Sequence, residues 1–548
     1  MLRCSFFAPP IRKPESGSLH LIAFSFRKLH RLCLDDDSEI RANEANVKSR
    51  FLLLIALLST AALPAQVTLP KILSSHMVIQ RDLPVHVWGM AAPGEDVAVT
   101  FRGETRSAKA GDLGRWSIYL APGSAGGPFQ LTVQGTTAPG ATPDTITLED
   151  VLVGDIWVAS GQSNMEFALH NAATADQDLP HAANPRIRLL MVKTKASDYP
   201  LDDVDTKGWE ASTPETARDF SAVAWYFARD LEQREHVPIG VIDSTWGGTV
   251  AEAWTRMAAL GSDAALAPLF TSWGKMTERE SDALLSRNYE QRQRDEAKAQ
   301  GKPEPQFPWH PQLDSWGPGM LWNGMIAPLT PLPIRGVIWY QGESNSALER
   351  APLYSRIFRT LIEDWRRQWG VGDFPFLFVQ ISNFKSGPGE GWALLREQQL
   401  LTLALANTAM AVTIDIGNPD NVHPTDKLDV GLRLALAARA LSYGEGVSYS
   451  GPIFRQVTPE GSALRVWFNH HAKGLVSRGG TLTGFEIAGA DGKFVPATAT
   501  IDGNTVVVTS SDVAAPAYVR YGWANSPQCN LFNGEGLPAS PFRSDPQK

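Results

Sequence analysis

Cysteine is almost missing from this 548-residue chain, which has three. Cys4 and Cys33 lie near the amino terminus, so beyond about Gln66 only Cys529 remains. One thiol cannot staple a protein internally, and stability must rest on packed cores. Cys529 itself reads as buried and inert. Blocks of like charge are also absent. Beyond residue 50 the chain holds 41 Lys and Arg against 52 Asp and Glu, a net of −11. That balance disfavours polyanions and anionic membranes, so no nucleic-acid partner is expected. There is no His-Glu-x-x-His, no Cys pair with zinc spacing and no phosphate-cradling glycine loop before a helix, so no metal and no cofactor is implied. His470 and His471 are adjacent on a β-run and point to opposite faces, which makes a poor chelate. The one long apolar run, from Phe51, is too short to span a membrane comfortably.

What is present is a chain with 43% hydrophobic residues, enough to fill the cores of two to four domains. Val47-Lys-Ser-Arg50, the apolar run from Phe51 and Ala61-Ala-Leu-Pro-Ala65 have the basic, apolar and small-residue order of a signal peptide. Residues 47–65 are therefore expected to be removed on export, leaving no stable membrane insertion, and residues 1–46 read as an over-extended translation start. From 67 to 148 short β-runs recur between glycines and prolines, the pattern of a small β-sandwich. From 149 to 443 compact apolar runs (Ile187 to Val192, Pro238 to Ser244, Gly336 to Gln341, Phe374 to Ile381, Ala409 to Ile416) alternate with helical stretches. The clearest helix is Pro352 to Trp369, with Tyr354, Ile357, Phe358, Leu361, Ile362 and Trp365 on one face and Gly370 as its stop. Such alternation predicts a parallel sheet covered on both faces. Residues 262–320 interrupt the rhythm as an insertion, charged and helix-prone and then rich in proline and aromatics. A terminal β-rich domain follows over 450–542, where the Gly- and Pro-rich stretch from Cys529 to Pro541 reads as a fixed loop.

Three apolar runs end abruptly in chemistry-bearing residues. Asp155 to Ser160 leads through Gly161 to Ser163, Gly336 to Tyr340 leads to Gln341-Gly-Glu343-Ser-Asn345, and the run from Ala409 leads to Asp420-Asn-Val-His423-Pro. A serine hydroxyl is a poor nucleophile until a base takes its proton. Of the nine histidines beyond the signal, only His423 has an Asp three residues before it in a loop after a strand. Ser163, His423 and Asp420 thus read as nucleophile, base and orienting carboxylate, with Asp415 as the reserve acid. The Ser163 N–H and a backbone N–H from Gly247 or Gly248, after the Pro238 to Ser244 strand, suit a developing oxyanion.

In this order, Gly-Gln-Ser-Asn-Met, Trp-Tyr-Gln-Gly-Glu-Ser-Asn and Asp-x-x-His-Pro resemble the sialate O-acetylesterase family of the SGNH hydrolases, and the likeness runs from about Leu69 to Phe542. The resemblance implies a three-layer α/β/α sandwich flanked by the two β-rich domains, and a carbohydrate esterase that removes acetyl groups from sugars through an acyl-serine. It also implies a third oxyanion donor from a side-chain amide, either Gln341 or Asn345. Asn164 is placed against substrate, and Glu343 either fixes its loop by hydrogen bonds, the favoured role, or touches substrate. The acetylated sugar is a sialic acid or, alternatively, a xylan or other hemicellulose. A non-catalytic glycan-binding protein, suggested by two β-rich modules and 17 Trp, is the reading from another class; the intact Ser163, Asp420 and His423 argue against it.

Overall fold

A computed structural model describes residues 66–135, 144–307 and 310–546. The expected signal peptide at 47–65 and the extension at 1–46 lie outside the described residues. Gln66 to Lys548 belongs to one compact unit.

The first strands are β1 (Val78–Gln80), β2 (Val85–Met90), β3 (Asp96–Phe101), β4 (Glu104–Lys109), β5 (Arg115–Leu120) and β6 (Gly126–Gly135). In β5 exposed and buried residues alternate, with Trp116, Ile118 and Leu120 inward, as an antiparallel strand with one solvated face requires. β2 pairs with β5, and β3 lies between β4 and β6, all antiparallel.

The central strands are β7 (Asp144–Gly161), β8 (Asn184–Met191), β9 (Glu210–Ser212), β10 (Ile239–Thr245), β11 (Gly336–Tyr340), β12 (Phe376–Val379) and β13 (Thr408–Ala411). They are ordered β13-β12-β11-β7-β10-β8-β9. Neighbours are parallel except β9, an antiparallel edge on β8, so the sheet is mixed. β7 is 18 residues long. Its first part pairs antiparallel with β6 and its second part in parallel with β10 and β11. The expected boundary at 148/149 therefore falls inside a single strand.

Both faces of the sheet are covered. Val337 and Trp339 of β11 enter one core with Ile357, Phe358 and Trp365 of the Tyr354–Trp369 helix, while Ile338 and Tyr340 enter the other with the Ala222–Glu235 and Leu428–Ser442 helices. This two-sided burial is why these strands read as continuous apolar runs. Gly370 ends the Tyr354–Trp369 helix in the left-handed conformation, and its N–H caps the Arg366 carbonyl. β13 is shorter than its apolar run. Past Ala411 the Thr413 hydroxyl turns onto the Gln380 carbonyl at 2.6 Å, and Asp415 is drawn to Arg433 at 2.7 Å.

Residues 262–320 carry the Ala267–Thr277 and Glu280–Ala299 helices, and the second buries none of its residues. At the carboxyl end two four-stranded antiparallel sheets and a two-stranded one share a core that includes Val466, Ile487, Val506, Val519, Leu531 and Phe542. The terminal loop packs back on the central part through Arg543 with Glu397 at 2.7 Å and Gln380 with Ser540 at 2.9 Å. Burial pushes the Cys529 thiol up to about 11, which keeps it in the unreactive protonated form. Among the described residues no helix is long and apolar enough to cross a membrane.

Candidate active site

β7 delivers Ser163, the candidate nucleophile. Gly161 has φ of 132°, and a Cβ there would stand 2.2 Å from the Tyr340 carbonyl oxygen, so the chain turns off the sheet only with glycine at this point. The next residues form a single helical turn, Ser163–Glu166, whose first N–H has no intrahelical partner. His423 arrives from the loop after β13. Its N–H donates to Asn421 Oδ1 at 2.9 Å, which fixes the turn, and its Nε2 stands 2.7 Å from Ser163 Oγ. Burial, and secondarily the nearby Lys427 charge, push the imidazole below its ordinary value, so it is neutral and able to accept a proton at neutral pH.

The two groups sit in a cleft of about 870 Å³ walled by Trp316, Phe384 and Trp392, with Glu343, Glu390, Arg350 and Lys385 among its polar lining. Trp316 and Ser272 bring the insertion to the cleft. The Trp316 indole donates to the Gly248 carbonyl at 2.7 Å, and Arg350 lies over its ring at 4.9 Å.

Asp420 is not brought to His423. Its side chain is 80% exposed and pairs with Lys385 at 3.0 Å. Asp415, the reserve acid, is taken by Arg433. Among the described residues no carboxylate hydrogen-bonds the imidazole. Neither candidate amide faces the cleft. Gln341 Nε2 donates to Gln162 Oε1, Thr249 O and Asn345 Oδ1 at 3.1, 3.1 and 2.7 Å, and Asn345 Nδ2 donates to Glu252 at 2.8 Å. Both are fully buried behind the wall, their donors spent on the interior. Of the glycines, Gly247 gives its N–H to the Glu166 carboxylate. Gly248, with φ of 72°, gives its N–H to no described acceptor and lines the cleft.

The chain is similar to proteins already described. Residues 312–442 match the family model described as carbohydrate esterase, sialic acid-specific acetylesterase. The sialate O-acetylesterase of Mus musculus is 31% identical over 521 residues, covering 86% of this chain and 93% of its own. The chain belongs to the sialate O-acetylesterase family. The Homo sapiens sialate O-acetylesterase is 30% identical over 518 residues, with 86% and 91% covered. A crystal structure described as a novel carbohydrate acetylesterase from Xanthomonas citri superposes with a TM-score of 0.75 at 41% identity, covering 88% of this chain and all of that one.

Two residues of this family member escape a reading of its motifs. Gln162 precedes Ser163, and its Oε1 is held by three donors, Gln341 Nε2 and the N–H groups of Gly342 and Ser344, at 3.1, 3.3 and 3.2 Å. With the oxygen anchored inward, the amide nitrogen is left for the cleft that Gln162 lines. The signal was its position beside Ser163. Lys427, buried at the start of the Leu428–Ser442 helix, donates to Asn164 Oδ1 at 2.6 Å. Burial pushes its ammonium down to about 7. Glu343 does line the cleft. One carboxylate oxygen accepts from Asn164 at 2.6 Å, the other is buried without a described partner, and burial pushes the pKa of the carboxyl group up from its ordinary value. Asn164 is buried instead of facing the cleft.

Proposed function

We propose that the chain hydrolyses O-acetyl esters on sugars through a nucleophile and base formed by Ser163 and His423. The 2.7 Å contact between Ser163 Oγ and a neutral His423 Nε2 at the floor of an aromatic-walled cleft carries this reading. Ser163 Oγ attacks the acetyl carbonyl carbon as His423 takes its proton. The N–H groups of Ser163 and Gly248 and the side-chain amide of Gln162 meet the oxyanion. Collapse breaks the ester bond, the sugar oxygen leaves with the proton from His423, and an acetyl-serine remains. Water, deprotonated by the same imidazole, then releases acetate and restores Ser163.

The aromatic wall suits sugar rings, whose apolar faces stack on indole and phenyl groups. The test is acetate release from a panel of O-acetylated sialic acids and acetylated xylo-oligosaccharides, scored by kcat/KM. Turnover of at least one class well above a Ser163→Ala control is expected, and the preferred class names the substrate. Binding of these glycans with no turnover would instead support a glycan-binding protein.

Gln162 permits a sharper check of the oxyanion assignment. Gln162→Glu keeps the anchored acceptor oxygen and replaces the donor by an anion, so kcat should fall by about 100-fold or more with little change in KM. Near wild-type kcat would remove Gln162 from the hole.

The parallel order of the central strands, helices on both faces and a serine at the end of β7 support an SGNH-type three-layer arrangement. The β-runs on either side support accessory β-rich regions, the amino-terminal one continuous with the central sheet through β7 and the carboxyl-terminal one near 450–542. The order of residues 47–65 supports export with cleavage near Ala65, for which amino-terminal sequencing of secreted protein is the check.

A further inference from the structure

Asn164 follows the nucleophile and is 1% exposed. Its Nδ2 donates to Glu343 Oε1 at 2.6 Å and to the carbonyl of Val422, the residue before His423, at 3.0 Å. Its Oδ1 accepts from Lys427 Nζ at 2.6 Å. One amide therefore ties the turn of Ser163 to the loop of His423 and to the loop after β11. The Lys427 ammonium lies 4.7 Å from the Phe167 ring centroid and 5.4 Å from that of Tyr340.

We propose that Asn164 and Lys427 are positioning residues: Asn164 holds the backbone of the base against the nucleophile turn, and Lys427, hydrogen-bonded to the same amide, sets a buried cation beside that clamp. The inference rests on the Ser163 and His423 assignment above. An amide is the group that fits position 164, because it donates to two oxygens while accepting from an ammonium. A carboxylate there would turn an acceptor on two acceptors.

The cation acts on the imidazole by charge. A positive neighbour disfavours a second positive charge, so His423 stays neutral to lower pH. Lys427 is pushed down to about 7, and the acid limb of activity lies below that, where the lysine is charged. The other groups facing this pair are Glu343 from the loop after β11, Asp426 beside Lys427, the Tyr340 phenol and the Ser163 hydroxyl. The ion pair of Asp420 and Lys385 lies at the surface, and Glu390 and Arg350 stand among the groups lining the cleft.

The experiment is kcat/KM against pH on an aryl acetate for wild type, Lys427→Met, Lys427→Arg and Asn164→Ala, each checked for folding by near-ultraviolet circular dichroism. In Lys427→Met the acid limb should move upward by about half a unit to one unit, and Lys427→Arg, which keeps the charge, should return it. Asn164→Ala keeps Lys427 and should lower kcat by about 10- to 100-fold, with the limb in place and KM changed by less than about threefold. Lys427→Gln replaces Lys427→Met if the latter does not fold. An unmoved limb in the folded neutral variant overturns the role of Lys427, and wild-type kcat in Asn164→Ala overturns the clamp. Ser163→Ala, run alongside, separates the levels. Retained turnover there removes the nucleophile assignment itself, whereas an inactive Ser163→Ala with an unmoved limb in Lys427→Met removes only the present inference.

Discussion

His423→Ala is expected to lower kcat on an aryl acetate by on the order of 10³- to 10⁴-fold while leaving the circular dichroism spectrum unchanged. The imidazole lies on a loop and contributes little to either core, so its loss removes the base without opening a cavity in the sheet layers. Asp420→Asn is the informative companion. Its carboxylate is 80% exposed and bonded to Lys385, and an exposed pair of this kind contributes little to stability or to a group it does not touch. Its kcat should therefore stay within about threefold of wild type. Steady-state kinetics on both variants makes the comparison. A folded His423→Ala enzyme with near wild-type kcat sinks the base assignment, and a loss of 100-fold or more in Asp420→Asn, on the order expected for a true triad acid, would mean that Asp420 swings in during turnover.

Ser163→Ala should be the most damaging single change, with kcat reduced by at least about 10³-fold and no covalent intermediate. Ser163 stands at the start of one helical turn and packs into neither core, so the alanine is well tolerated structurally. An organofluorophosphonate gives a readout independent of turnover. Wild type should take up one label, mapped by peptide mass spectrometry to the segment containing Ser163, and Ser163→Ala should take up none. Labelling at another serine, or esterase activity that survives in Ser163→Ala, would place the nucleophile elsewhere.

The pairing of Ser163 with His423 was legible because each stands at the end of an apolar run, and parallel strands bring their carboxyl ends together. The stop of the helix at Gly370 was legible for a local reason too, a left-handed cap that glycine adopts without strain. Asp420 was misplaced because the spacing Asp-x-x-His is silent about the turn inside it. Asn421 captures the His423 N–H, and Lys385, 35 residues away, captures the carboxylate. Gln341 and Asn345 were misplaced for a similar reason. Their partners Thr249 and Glu252 are 92 and 93 residues away, and nothing local in the motif records those bonds. Gln162 and Lys427 were overlooked because their importance comes from which atoms are already engaged, a property of three loops together.

The boundary expected at 148/149 divides β7, because nothing in its sequence shows that one strand pairs with both regions. As a single strand it makes the amino-terminal sheet and the catalytic sheet two ends of one beam. Leu148 is bonded into one layer opposite Leu131, while Ser160 lies between Ser244 and Trp339 in the other. The amino-terminal β-region is thus no detachable cassette. Recombination or gene fusion that exchanged it at residue 148 would saw through the beam on which Ser163 stands, and inheritance of the two parts as one block is the arrangement such a strand enforces.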